Sequence, residues 1–173
     1  MKKNFLFLIT ICIFTMLVGG GWEFLNDNEK KIKEFAKDNG YVSATKAIQQ
    51  FQEKYELKVS LPSEILFEPT HSFGKMTEEG DLKLHYVNIK NIPHNDFIMY
   101  IKYPNSKIYN DIHEESKVYN LKNGQKSYYK VLSEKLHLLT FKQDKLGYSI
   151  GVKENSNLDI NHQNLIKIAE SLN

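Results

Sequence analysis

Read for the spacing of apolar and polar residues, the chain passes through three regimes. Phe5 to Val18 is continuously apolar, with Lys2-Lys3 before it and Gly19-Gly20-Gly21 after it. From Glu23 to Lys37 charge dominates, and Phe24, Ile32, Phe35 and Ala36 leave a thin apolar stripe. That pattern predicts an amphipathic helix closed by Asn39-Gly40, where glycine supplies the left-handed residue after a helix. A second helix is expected from Ser43 as N-cap, with Ala44, Ala47, Ile48, Phe51 and Tyr55 on one stripe. Pro62 and Pro69 bracket an irregular passage, and from there to Val152 the period becomes two.

Leu82, Leu84 and Tyr86 alternate with Lys83, His85 and Val87, the pattern of a half-buried strand. Phe97-Ile98-Met99-Tyr100-Ile101 is apolar on both faces and belongs in the middle of a sheet. Strands follow near Val118–Leu121 and Ser127–Leu132, joined by Asn123-Gly124, a hairpin pair suited to a type I′ turn. Leu136–Phe141 and Leu146–Val152 form a last hairpin about Gln143-Asp144-Lys145. Leu165, Ile168, Ala169 and Leu172 then sit at helical spacing, with Asp159 or Asn161 as cap. Helices, an antiparallel meander of about six strands and a closing helix make an α+β domain, with the helices packed on one face of the sheet. The expected organisation is an N-terminal segment over 1–20, a helical part over 21–60, and sheet plus C-terminal helix over 61–173. The last two form one globular domain.

The apolar N-terminal run reads as a secretory signal peptide, cut after Gly20. An uncleaved membrane anchor is the rival, because the uncharged stretch from Asn4 to Trp22 approaches the ~20 residues that span hydrocarbon. Trp22 would then lie at the outer interface. A lipid-modified Cys12 fails locally, since Ile11 fills the place where lipid attachment wants a small residue. Lys30, Lys31, Lys33 and Lys37 follow the segment and oppose the orientation favoured by Lys2-Lys3. The order of basic, apolar and small residues still places the body outside the cytoplasmic membrane, secreted or anchored.

Composition narrows the chemistry. Removing Lys2 and Lys3 from the 23 basic residues leaves 21 against 21 acidic ones. A nucleic-acid binder usually shows a clustered basic excess; none is present, and no nucleic-acid partner is expected. Arginine is absent, which removes the side chain best suited to bidentate phosphate or carboxylate recognition. With Lys, Asn and Ile abundant, this points to an AT-rich genome and a low-GC Gram-positive bacterium. The body has no cysteine, which excludes a thiol nucleophile, a thiolate zinc site or an iron–sulfur cluster there.

The candidate motifs each have a plainer reading. Gly147-Tyr148-Ser149-Ile150-Gly151 matches G-x-S-x-G, with Asp159 and His162 following in hydrolase order. A nucleophile elbow needs Ser at a strand-to-helix corner, whereas Tyr148, Ile150 and Val152 alternate straight through the motif. Ser149 should therefore lie mid-strand, with Gly147 and Gly151 on the same narrow face. Ser43-x-x-Lys46 resembles the S-x-x-K of serine acyl-transferases, but the companion motifs are missing and an N-cap explains Ser43. Asp111, His113 and Glu114 are the densest metal candidates, in an expected loop. Asn155-x-Asn157-x-Asp159 opens like a calcium loop, but Ile160 and Ile166 stand where Gly and Glu are required. No catalytic, metal or cofactor set is expected. Tyr128-Tyr129 with Tyr119 would form a binding face if exposed together.

From Lys117 to Leu172 the chain resembles a Gram-positive extracytoplasmic domain family of unknown function, found in exported proteins and anti-sigma-factor-like membrane proteins. The features are Leu121-Lys122-Asn123-Gly124 before a Tyr-rich strand, Leu138-Leu139-Thr140-Phe141 before Gly147-Tyr148-Ser149-Ile150, and the closing Leu165 to Leu172. Phe141 stands where that pattern has Trp, and the region near Leu61-Pro62 departs from it. The resemblance implies a sheet-and-helix fold and a sensory or interaction role, with no catalytic residue. The expected function is an exported, non-enzymatic interaction or regulatory module at the cell envelope, with an envelope protein as partner. A carrier of a lipid or other apolar ligand comes second, and a hydrolase using Ser149 third.

Overall fold

Eight strands form one antiparallel sheet in a computed structural model of the chain, which describes residues 27–103, 115–132 and 135–173. The chain divides into two compact units, one up to Asn39 and one from Gly40 to Asn173. The first contains helix α1 (27–38), ended by Gly40 at φ 70° and decorated by an i,i+4 pair between Lys33 and Glu29 at 2.6 Å. Among the described residues no helix is long and apolar enough to cross a membrane. The N-terminal apolar run and Asp111, His113 and Glu114 lie outside the described residues.

The second unit begins with β1 (Val42–Ser43) and α2 (Ala44–Tyr55). The strands β2 (His71–Met76), β3 (Leu82–Asn88), β4 (Asn95–Lys102), β5 (Lys117–Asn120), β6 (Lys126–Leu132), β7 (Leu136–Gln143) and β8 (Leu146–Lys153) follow, then α3 (His162–Glu170). Their order across the sheet is β1-β2-β3-β4-β8-β7-β6-β5, so β4, apolar on both faces, is central as its sequence implies. Each sequence-expected strand is present, and the sheet gains β1 and β2. Neither carried a clear period-two signal. β1 is two residues at a helix cap, and His71-Ser-Phe-Gly-Lys-Met76 mixes polar residues onto both faces.

Gly74 explains part of that irregularity. A Cβ there would stand 2.6 Å from the Ala47 Cβ and 2.9 Å from a Leu84 methyl, so α2 can seat on β2 only because the position is glycine. Helix α2 starts where Ser43 Oγ accepts from the Lys46 N–H at 3.4 Å. At α3 the Asn161 side chain accepts from the Gln163 and Asn164 N–H groups, while Asn164 returns a bond to the Asn161 N–H, a full capping box. The hairpin at Asn123-Gly124 forms, but with a different turn from the expected type I′. Gly124 alone has positive φ, at 81°, and its N–H donates to Leu121 O at 2.9 Å, as in a type I turn followed by a left-handed residue.

Alternation sorts the strands into two faces. Leu84, Met99, Ile150 and Leu139 lie in one row across β3, β4, β8 and β7, with Leu82, Ile101, Tyr148 and Phe141 in the next. This inner face meets Ala47 and Phe51 of α2 and Leu165, Ile168 and Ala169 of α3 in a single buried cluster. Both helices therefore share one side. Phe141 stacks on Tyr148 at 5.4 Å between ring centres, and Tyr148 Oη accepts from the Ser60 N–H at 3.3 Å.

Candidate functional site

The outer face holds the chemistry. Its positions are the partners of the core residues on the same strands, and they carry Lys75, Lys83, Lys102, Lys126, Lys130, Lys142 and Lys153. Among all described strand residues Asp96 is the sole carboxylate, and its Oδ1 lies 2.8 Å from His85 Nε2. The acidic residues fall in helices, turns and loops instead. Among the described strand positions the outer face therefore carries seven lysines and one carboxylate.

One row shows how the face is built. Register pairs Lys75 with Lys83, Lys83 with Tyr100, Tyr100 with Ser149, Ser149 with Thr140, and Thr140 with Tyr128. Lys83 Nζ lies 5.3 Å from the Tyr100 ring centre and 5.8 Å from that of Tyr41, and Lys75 Nζ lies 4.8 Å from Tyr41. Such cation–π contacts hold ammonium groups against the rings. Burial pulls the Lys83 ammonium down, but hydrogen bonds and charge interactions with Tyr100 and Tyr41 outweigh it and leave its pKa above the ordinary lysine value. Lys102 behaves oppositely: burial lowers its pKa, and Asp81 only partly restores it. Tyr41 also meets Phe73 edge-on at 6.3 Å, so the aromatic rings at the β2–β4 side are occupied with one another and with lysines.

Ser149 lies mid-strand on this face, as its alternation implies, only 3% exposed and 3.0 Å from the Thr140 hydroxyl. His162 belongs to α3 on the inner side, where it stacks on Tyr119 with ring centres 4.4 Å apart. The sheet thus separates Ser149 from His162, and no elbow or triad geometry forms between them. Ser43 spends its oxygen on the α2 cap. Asn155 accepts from the Asn157 N–H and donates to His94 O and Asn95 Oδ1, while Asn157 donates to Ile92 O and Pro93 O. These asparagines tie two loops together and leave no oxygen cage. Among the described residues no group of His, Cys, Asp and Glu is placed to hold a metal ion. Tyr128 and Tyr129 point to opposite faces, so they do not form one aromatic patch with Tyr119.

A second cluster, unread in the sequence, lies at the β6–β7 end of the inner face. Tyr129 Oη is 2.7 Å from His137 Nδ1, His137 Nε2 is 3.3 Å from Glu154 Oε2, and Glu154 Oε1 accepts from Lys135 Nζ at 2.8 Å. The order of phenol, imidazole and carboxylate resembles a nucleophile, base and orienting acid. Its electrostatics run the other way: burial first, then Tyr119 and Glu154, push the Tyr129 phenol up, which disfavours the phenolate a nucleophile needs. The cluster ties β6 and β7 to the residue following β8. Beside it, an open groove of about 430 Å³ between β5 and α3 is lined by Tyr119, Asn120, Lys122, His162, Ile166 and Glu170, and the surface it offers is mainly apolar.

In comparisons with known proteins the chain matches no family model, no curated protein and no solved structure.

Proposed function

We propose that the chain is a non-enzymatic interaction module exported to the bacterial cell envelope, with the outer face of its sheet as the recognition surface. The observation that carries this reading is the segregation of lysines onto one face of a protein body whose basic and acidic residues balance. Random placement of charge along the strands would mix the signs evenly, and a surface richer in one sign steers and holds a partner of opposite sign. Export rests on Lys2-Lys3, the Phe5–Val18 run and the glycine exit, and the resemblance over Lys117–Leu172 points to the same compartment. The carrier of an apolar ligand ranks second. Its size requirement of roughly 300–1,000 Å³ is met by the β5–α3 cavity, but that cavity is a wide-open surface groove, whereas a carrier encloses most of its ligand. A Ser149 hydrolase ranks third, because the hydroxyl is buried and bonded to Thr140.

Fractionation of the native host tests the proposal. The body should be found outside the cytoplasmic membrane and be digested by protease added to intact protoplasts, and N-terminal sequencing distinguishes a cleaved signal from an anchor. Full-length chain in the cytosol defeats the reading.

A further inference from the structure

We propose that the free edge of β5 and the groove beside it take up an extended segment of a partner protein as a further strand, with an apolar side chain of that segment entering the groove between two carboxylates. The site lies at the edge and inner side of the sheet and goes beyond the outer recognition surface proposed above. Among the described residues β5 pairs with β6 alone and ends the strand order. Alternate residues from Lys117 to Asn120 therefore turn their N–H and C=O groups away from the sheet. The opposite edge is β1, two residues that lead straight into α2. An unpaired strand edge sets the class of its occupant, because an extended polypeptide offers the matching ladder of donors and acceptors.

The groove supplies the side-chain recognition. α3 runs alongside β5 in the same direction: the His162 ring stacks on Tyr119 at 4.4 Å, and at the far end Glu170 meets the Lys122 ammonium at 2.8 Å. The flank of α3 with His162, Ile166 and Glu170 at helical spacing stands beside the inner face of β5 and leaves the groove between them. A strand added to β5 continues the floor of that groove, and its inward side chains meet Tyr119 and Ile166. Its outward side chains cover Val118, which is 53% exposed.

Charge frames the apolar middle. Lys117 lies on the inner face two residues before Tyr119, and Lys167 follows Ile166; both are exposed, and neither is ion-paired among the described residues. At ~3.3 Å per strand residue and ~1.5 Å per helix residue, the two lysines stand about 14 Å apart along the groove. An extended segment with carboxylates at i and i+4 spans about 13 Å, so both lysines are met while the residue at i+2 enters between them. The same lysines count against a second copy, since pairing β5 with β5 gathers Lys117 and Lys122 of both chains along one seam, the like-charge device that keeps sheet edges apart. A bilayer takes side chains that protrude into it, whereas Tyr119 and Ile166 are partly buried against the core.

The full chain, labelled with nitrogen-15 and held in a mild neutral detergent, is titrated with the capped peptide Thr-Glu-Val-Val-Thr-Glu-Thr. The amide signals of Lys117 to Asn120 and of α3 should move and saturate. The counterpart with Lys in place of both Glu residues should bind roughly tenfold more weakly, since two ion pairs become two repulsions. Two forms of the peptide N-methylated on alternate residues, in opposite phases, should differ: the phase with its methyl groups against β5 loses binding and the other keeps it. Lys117→Glu/Lys167→Glu should reverse the preference and favour the Lys peptide by roughly tenfold. Lys46→Glu/Lys58→Glu, on and just after α2, carries the same charge change and should bind as wild type. Thermal unfolding of each variant checks the fold, and Lys167→Glu alone gives the same direction if the double variant is destabilised. Absence of binding, equal effects of the two methylation phases, an unreversed preference in the folded double variant, or shifts confined to other parts of the chain overturn the proposal. Shifts at Lys117 to Asn120 that follow protein concentration without peptide make a second copy the occupant, and larger shifts there on phosphatidylglycerol nanodiscs make it a bilayer; either result also overturns it. A chain that ignores the peptide defeats this inference alone and leaves the outer recognition surface standing.

Discussion

Along β4, Phe97, Met99 and Ile101 are fully buried against the helices, while Asp96, Ile98 and Tyr100 on the alternate positions stay partly exposed. The same eight residues therefore answer to two sets of demands. The inner side is governed by volume, because helices press on it and interiors pack densely. The outer side is governed by charge, and its small residues leave room. The two glycines Gly74 and Gly151 express the difference: an added Cβ meets Ala47 at 2.6 Å on the inner side, but nothing nearer than 3.8 Å on the outer. One sheet thus keeps a fold on one surface and presents a cationic array on the other.

The largest expected effect is on the inner side. Phe141→Ala or Phe51→Ala should lower stability by about 3–5 kcal/mol, read as a shift in the denaturant midpoint. Gly74→Ala should cost about 1–3 kcal/mol through overpacking against α2, whereas Gly151→Ala should stay within about 0.5 kcal/mol. Equal costs at the two glycines would contradict the asymmetry. Tyr129→Phe should cost about 1–3 kcal/mol by leaving the buried His137 nitrogen without its phenol, measured the same way.

A subtler effect is a dependence on pH. The hydrogen bond from Lys135 is the chief cause that holds the Glu154 carboxyl below its usual range; desolvation opposes it, and His137 adds to it. A carboxylate depressed in the folded state contributes stability that is fully present above its unfolded pKa and lost as pH falls through the folded one. Acid unfolding of the wild type should therefore include a Glu154 contribution that Glu154→Gln removes, flattening the stability curve at the acidic end. An unchanged acid limb in that variant would contradict the assignment.

Much of the inner side was legible from spacing. The Ala44, Ala47, Phe51 stripe and the Ser43 cap specify α2 because a helix face and its cap are local properties, and the Leu165, Ile168, Ala169 stripe does the same for α3. β2 was not legible, because Gly74 and the polar neighbours answer to α2, which packs on it from elsewhere in the chain. Tyr129, His137 and Glu154 come from two strands and a strand end, so their meeting depends on register. The lysine face was present at alternate strand positions, but a sum over the whole body cancels it against acids placed in helices and loops. Charge totals are blind to sides.

Co-sedimentation of the full chain with isolated cell envelopes, compared with the Lys83→Gln/Lys126→Gln/Lys130→Gln variant, tests the division between the two faces most directly. The wild type should pellet at low salt and be released as salt rises. The variant should remain in the supernatant while unfolding at the same temperature as the wild type. A variant that pellets as the wild type does, with its fold intact, would contradict the outer face as the recognition surface.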